Sequence, residues 1–468
     1  MLRVSVRSTT ALPALVLSVA LLLLPGARAR ADEPPLPAYN ADIAQTSISG
    51  ISSGAFMAVQ FGTAWSSFVV GVGAIAGGPF GCSEGSGSAA LSTCMGGEPA
   101  PDLADLIKRT DAWSRSGDID DTANIAKQKI YLFNGYNDSV VARAVSNALH
   151  EFYAHYRPAS LFYQTAIGSG HSQVTVAYGG GCADNGGEFI NKCGYDQAGV
   201  ILQHIYGALS PRNDGSLTGQ VITFRQGDFT GPQKPVDDSL DDKGFAYVPA
   251  SCAAREPCRL HVALHGCLQS YGNIGEDFVK HAGYNEWADT NHIIVLYPQT
   301  QAVALTGLGI TNPQACWDWW GYLDANPTES PTYLLKSGKQ ISVIKAMIDR
   351  ITSSAVASGG PVAGPLTPPS TATAVDVSDS AIDLAWTVVP GATGYEVFRA
   401  PSTDEALSQI GTVVGPSYGD AGLKPATTYR YKVRAISGGA TSEFSAVVAQ
   451  QTRRKVPPCD EPGTCAVR

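Results

Sequence analysis

The sequence predicts an α/β domain with a mostly parallel sheet followed by a small all-β sandwich, and three observations carry that reading. Before Ser353, apolar strand-like runs alternate with helix-like segments. Beyond residue 370, short segments alternate with period two and no helical run interrupts them. Between the two lies a charge-free stretch rich in Gly, Pro and Ser, which is linker composition.

The N-terminus reads as an export signal over residues 1–31. Arg3 and Arg7 precede an apolar run over 11–24, then Pro25, Gly26 and the small-residue pattern Ala27-Arg28-Ala29, with cleavage expected after Ala29 or Ala31. The run is short for a membrane span, and no later stretch reaches the length needed to cross a bilayer. No membrane association is therefore expected after cleavage. Of the 468 residues 16% are charged and 44% hydrophobic, which excludes a disordered chain and, at roughly 100 to 200 residues per domain, leaves room for several domains. Residues 1–31 hold four arginines and no acid, so their removal takes the formal charge from -9 to -13. That sign opposes nucleic acid and anionic membranes as partners.

Ten cysteines in an exported chain imply disulfides. They fall as sequence neighbours, and local pairing is expected: Cys82 with Cys94, Cys182 with Cys193, Cys252 with Cys258, Cys267 with Cys316 and Cys459 with Cys465. A zinc site would want two-residue spacings between cysteines, and there are none, so no metal is expected.

Strands are predicted at 130–134, 161–167, 259–264 and 293–297, with helices at 140–156, 197–209, 274–291 and 339–352. The α/β domain is placed at 40–353, the linker at 354–370, the sandwich at 371–452 and a short tail at 453–468. Within the sandwich, Trp386, Tyr395 in GYEVFRA, and Leu423, Pro425, Thr428, Tyr429 and Tyr431 in LKPATTYRYKVRA resemble a fibronectin type III domain. Such modules space or bind, and this one shows no chemistry.

The chemistry sits in the first domain. Gly50-Ile51-Ser52-Ser53-Gly54 matches the G-x-S-x-G nucleophile elbow, with a strand at 45–49 and a helix at 55–64 on either side. A serine hydroxyl is a poor nucleophile until a histidine accepts its proton and an acid orients that histidine. Asp138 follows the strand at 130–134 in NGYNDSVV, and His171 follows the strand at 161–167 in GSGHSQVT. The order Ser52, Asp138, His171, each just past a strand, is that of α/β-hydrolases. Blander roles remain open: Asp138 as a turn or capping residue, His171 as a loop histidine.

Two N–H donors must also meet the oxyanion of the tetrahedral intermediate. Ser53 N–H is the first candidate. The His-Gly loop that supplies the second normally precedes the serine, but here it follows as Leu264-His265-Gly266-Cys267, which offers Cys267 N–H. That order predicts a circularly permuted α/β-hydrolase.

With SGISSGAF, NGYNDSVV, GSGHSQVT, FINKCGYDQAGVILQHIYGAL, LHVALHGCLQS, HAGYNEWADTNHIIVLYPQT and NPQACWDWWGY in view, residues 40–350 resemble the catalytic domain of extracellular poly(3-hydroxybutyrate) depolymerases of the permuted type. The resemblance implies a secreted serine esterase acting on a polyester polymer or oligomer, working as a monomer and without a cofactor. Members of that family often end in a separate polymer-binding domain, whereas here only a short tail follows the sandwich. Trp317, Trp319 and Trp320 beside Cys316 are candidate substrate contacts, since aromatic faces suit an uncharged polyester; core packing is the competing role. Two other functions fit the sequence: a feruloyl or acetyl esterase acting on plant polysaccharide, and a non-catalytic surface-binding protein with a degenerate hydrolase domain.

Overall fold

The computed structural model describes residues 33–231, 233–305, 310–354, 366–370, and 372–454 apart from 388, 390, 391, 393, 402–405, 414, 415, 438 and 439. The expected signal segment, most of the expected linker and the tail with Cys459 and Cys465 lie outside these residues.

An eight-stranded sheet organises residues 46–297. Its strands in chain order are β1 Thr46–Ile51, β2 Val69–Ile75, β3 Lys129–Phe133, β4 Ser160–Gln164, β5 Gln220–Arg225, β6 Lys243–Val248, β7 Arg259–Leu264 and β8 Ile293–Tyr297. Across the sheet they run β4-β3-β2-β1-β7-β8-β6-β5. The chain starts in the middle, works outward to one edge, crosses to the other edge for β5 and β6, returns to the centre with β7 beside β1, and fills the remaining gap with β8. Six strands are parallel; β6 runs antiparallel to β8, and β5 antiparallel to β6. The strip bearing the His-Gly loop therefore follows, in chain order, the strip bearing Ser52. Strand β2 and the β5–β6 pair are absent from the strands predicted above.

Side chains alternate across the pleat into two apolar layers. Ile130, Leu132, Leu260, Val262, Ile294 and Leu296 face one layer, which α1 Ser53–Ala64, α2 Leu103–Ser116, α3 Arg143–Tyr156 and, last in the chain, Lys339–Thr352 help to form. Tyr131, Phe133, Ala263, Val295 and Tyr297 face the other, covered by α4 Gln197–Tyr206 and α5 Tyr284–Thr290. The helix predicted over 274–291 is broken: Asp277–His281 and α5 are separated at Gly283, whose φ of +89° ends a right-handed helix.

Between β1 and β7 the interior turns polar. Ser47 Oγ lies 2.7 Å from His261 Nδ1 and Ser49 Oγ 2.8 Å from His261 Nε2, and Tyr206 and Tyr284 close the network. Burial pushes the His261 imidazole down to about 3, so it is neutral in the folded protein. An unfolded chain takes up this proton near pH 6.5 and the folded one does not, so stability is full above pH 6.5 and is lost as pH falls toward 3. The unfolding free energy of the wild type, taken from urea melts, should fall more steeply between pH 6.5 and 4.5 than that of His261→Gln, the difference approaching about 1.4 kcal/mol per pH unit. Parallel slopes would refute it.

Beyond residue 366, a three-stranded sheet of Thr373–Val377, Ala381–Ala385 and Ser417–Ala421 accompanies a second sheet built on Gly394–Ala400 and Thr428–Ser437. Ile382, Leu384, Trp386, Tyr395, Tyr429 and Tyr431 fill the core between them. Tyr429 Oη accepts the Lys424 N–H at 2.9 Å, the tyrosine-corner tie of such sandwiches.

Candidate active site

Ser52 stands between β1 and α1 with φ +55° and ψ −123°, a strained conformation for a residue with a side chain. Its carbonyl accepts the N–H groups of Ala55 and Phe56, while its hydroxyl caps nothing and stays available. Both elbow glycines are sterically required. A Cβ on Gly50 would strike the Gly54 carbonyl, and one on Gly54 would strike the carbonyls of His265 and Leu264. The tight elbow thus presses the start of α1 against the end of β7.

Asp138 and His171 come together from the loops after β3 and β4. Asp138 Oδ2 lies 2.9 Å from His171 Nδ1, and the two side chains are 1% and 5% exposed. The other carboxylate oxygen accepts the N–H groups of Val140 and Val141 at 2.8 and 2.9 Å. A carboxylate at Nδ1 holds the proton there and leaves Nε2 bare, as a general base requires. Among the described residues no hydrogen bond joins Ser52 Oγ to Nε2. The connection runs through Gly266, which abuts Ser52 Cβ, and Gln269, whose Nε2 donates to the carbonyls of Glu188 and Phe189; the Phe189 ring meets His171 edge-on at 5.9 Å. Catalytic hydrogen bonds of this kind commonly tighten only with substrate in place.

The two main-chain donors expected for the oxyanion are the N–H groups of Ser53 and Cys267. Ser53 N–H belongs to the first turn of α1, where no intrahelical acceptor exists. Cys267 N–H is set by a residue whose side chain the sequence reading left without a role. His265 Nδ1 lies 2.7 Å from the Gly266 carbonyl, and its Nε2 accepts the Thr300 N–H at 3.2 Å, so Nδ1 carries the proton. The Gly266 carbonyl and the Cys267 N–H share one planar peptide and point opposite ways. Holding the carbonyl aims the N–H. Burial keeps His265 neutral by pushing it down to about 4. Gln269 Oε1 accepts the Gly266 N–H at 2.7 Å, and the Cys267–Cys316 disulfide ties the loop from the far side. The pairs Cys82–Cys94, Cys182–Cys193 and Cys252–Cys258 also form as expected.

The three tryptophans part company. Trp317 is fully buried and donates its indole N–H to the His265 carbonyl at 3.0 Å, so it is a core residue and not a groove contact. Its apolar ring and single donor are both consumed by packing under the His-Gly loop. Trp319 stacks on Phe56 at 4.1 Å, and half-buried Trp320 meets Trp319 edge-on at 5.4 Å. Asp318, between Trp317 and Trp319 in sequence, accepts the N–H groups of Gly321 and Tyr322, which pins the turn. Burial and Asp324 raise its carboxyl to about 7. Among the described residues no cluster of three or more His, Cys, Asp or Glu could hold a metal, and no helix is long and apolar enough to cross a membrane.

Sheet, elbow and acid–base pair define a serine hydrolase of the α/β-hydrolase fold. The chain is 41% identical over 416 residues to a poly(3-hydroxybutyrate) depolymerase of Delftia acidovorans, covering 87% of this chain and 80% of that one. It is 37% identical to a polyhydroxybutyrate depolymerase of Talaromyces funiculosus, over 68% of this chain and 92% of the other. The chain belongs to the poly(3-hydroxybutyrate) depolymerase family. Two solved structures align with 35% identity, each over 68% of this chain and 98% of its own: PHB depolymerase from Penicillium funiculosum, with a TM-score of 0.60, and a serine-to-alanine variant of PHB depolymerase complexed with an R3HB trimer, with a TM-score of 0.61. The Fibronectin type III domain family matches residues 367–451.

Proposed function

We propose that the protein is a secreted, monomeric depolymerase that hydrolyses poly(3-hydroxybutyrate) or its oligomers through an acyl-enzyme. Ser52 Oγ attacks the ester carbonyl and passes its proton to His171 Nε2, which then protonates the departing hydroxyl end of the chain. Asp138 holds the imidazole and balances its charge, and the N–H groups of Ser53 and Cys267 take the oxyanion. Water activated by His171 then releases the acid. The observation that carries this reading is the buried Asp138–His171 pair, placed past neighbouring strands of the sheet that presents Ser52. The purified protein should clear a polyhydroxybutyrate suspension and its Ser52→Ala variant should not. A wild type that cleaves feruloyl or acetyl esters but leaves the polyester turbid would overturn the substrate assignment.

The catalytic domain is assigned to 40–353 and the fibronectin-like module to 371–452. In support, the apolar core around the large sheet ends at Ile351, and that of the sandwich begins at Leu366. Cutting the chain after Ser354 should leave hydrolysis of a soluble hydroxybutyrate trimer unchanged, because every residue placed in the chemistry precedes the cut. Loss of most of that activity by a folded fragment would refute the division. Clearing of solid polymer should fall with the same cut if the module adsorbs the enzyme to the surface and so raises its local concentration there.

A further inference from the structure

We infer that Asn185 is a positioning residue that holds the loops of Asp138 and His171 together. The inference rests on the roles proposed above for those two residues. Asn185 lies in the loop closed by the Cys182–Cys193 disulfide, which returns beside His171 because Ile190–Lys192 pairs in parallel with Gln173–Thr175. Asn185 Oδ1 accepts the N–H of His171 at 2.8 Å and that of Ser139 at 3.0 Å. Its Nδ2 donates to the carbonyls of Asn137 at 2.9 Å and Ala183 at 3.2 Å. One amide thus grips the main chain on both sides of Asp138 and at His171 itself.

All four hydrogen-bonding directions of the amide go to main-chain groups, so none remains for substrate. The supporting loop is fixed in turn: Gly170 N–H donates to the Cys182 carbonyl at 2.8 Å, and Asn191 Nδ2 donates to the carbonyls of Cys182 and Asp184. Without the amide, two N–H groups lose their acceptor and the loops can drift relative to one another. Displacement of a reacting group by about 1 Å costs on the order of 10²-fold in rate.

The test compares the full-length wild type with Asn185→Ala and Asn185→Asp on p-nitrophenyl butyrate, with labelling by a serine-directed phosphonate and thermal melts alongside. Asn185→Ala should lower kcat on the order of 10²-fold with little change in KM. It should also broaden or abolish the far-downfield proton resonance of the Asp138–His171 hydrogen bond. Asn185→Asp keeps an acceptor for both N–H groups but sets its second oxygen against the Asn137 and Ala183 carbonyls, so it should recover only part of the lost kcat. A folded Asn185→Ala with wild-type kcat, or one whose loss lies in KM with the downfield proton intact, overturns the inference. Should Asn185→Ala fail to fold, Asn185→Asp decides: a lowered kcat with unchanged KM and a broadened downfield proton upholds the role, and a folded enzyme with wild-type kcat overturns it. A wild type inert to both ester and phosphonate would instead refute the roles of Ser52, Asp138 and His171.

Discussion

Ser52→Ala is expected to lower kcat by about six orders of magnitude, leaving only what the oxyanion donors and substrate binding supply. Ser53→Ala should be nearly silent on the same soluble ester. The two serines are neighbours, yet only one presents a hydroxyl to the reaction. Ser53 Oγ is buried with no hydrogen-bond partner, so its loss removes an unsatisfied polar group while its N–H survives. A phosphonate that labels the Ser52→Ala protein, or a Ser53→Ala enzyme as dead as Ser52→Ala, would sink the assignment.

Asp138→Asn should cost about four orders of magnitude in kcat, more than simple loss of charge would suggest. The geometry explains why. The carboxylate oxygen that receives the Val140 and Val141 N–H groups must remain an oxygen in the variant, since an NH2 there would face two donors. The amide NH2 is then forced toward His171 Nδ1, which becomes an acceptor, and the ring proton moves to Nε2. The base is occupied by the proton it should be free to take. Asp138→Ala imposes no tautomer and should retain more activity than Asp138→Asn, which steady-state kinetics on a soluble ester would read directly; the reverse ranking would refute the argument.

Ser52, Asp138 and His171 were legible as candidates because each follows a strand through a glycine-marked turn, a local pattern that survives in one dimension. The four disulfides among the described residues were legible for a similar reason, their partners lying 6 to 49 residues apart. Asn185 was not, since an asparagine in a glycine-rich stretch reads as turn composition and its partners are main-chain groups up to 48 residues away. His265 was recognised only as half of a His-Gly motif; its task depends on Thr300, which reaches it from the loop after β8. Trp317 shows the opposite failure. Aromatic clustering marks a groove and a core equally, and the deciding fact is the His265 carbonyl that takes its indole N–H. Strand β5 went unread because it is mostly half-exposed and carries little apolar signal.

The order of strands also governs when the enzyme can become active. Strand β1 pairs with β7, so that Ser47 meets His261, 214 positions later in the chain. A chain delivered from its N-terminus presents Ser52 early, but the peptide carrying Cys267 N–H and half of the nucleophile's sheet come much later. Contacts of such sequence separation close slowly, because the intervening loop entropy must be lost before the pairing stabilises anything. A partly synthesised or partly exported chain is therefore an esterase in composition without being one in reactivity. Chains halted at residue 250 should leave Ser52 unreactive toward the phosphonate.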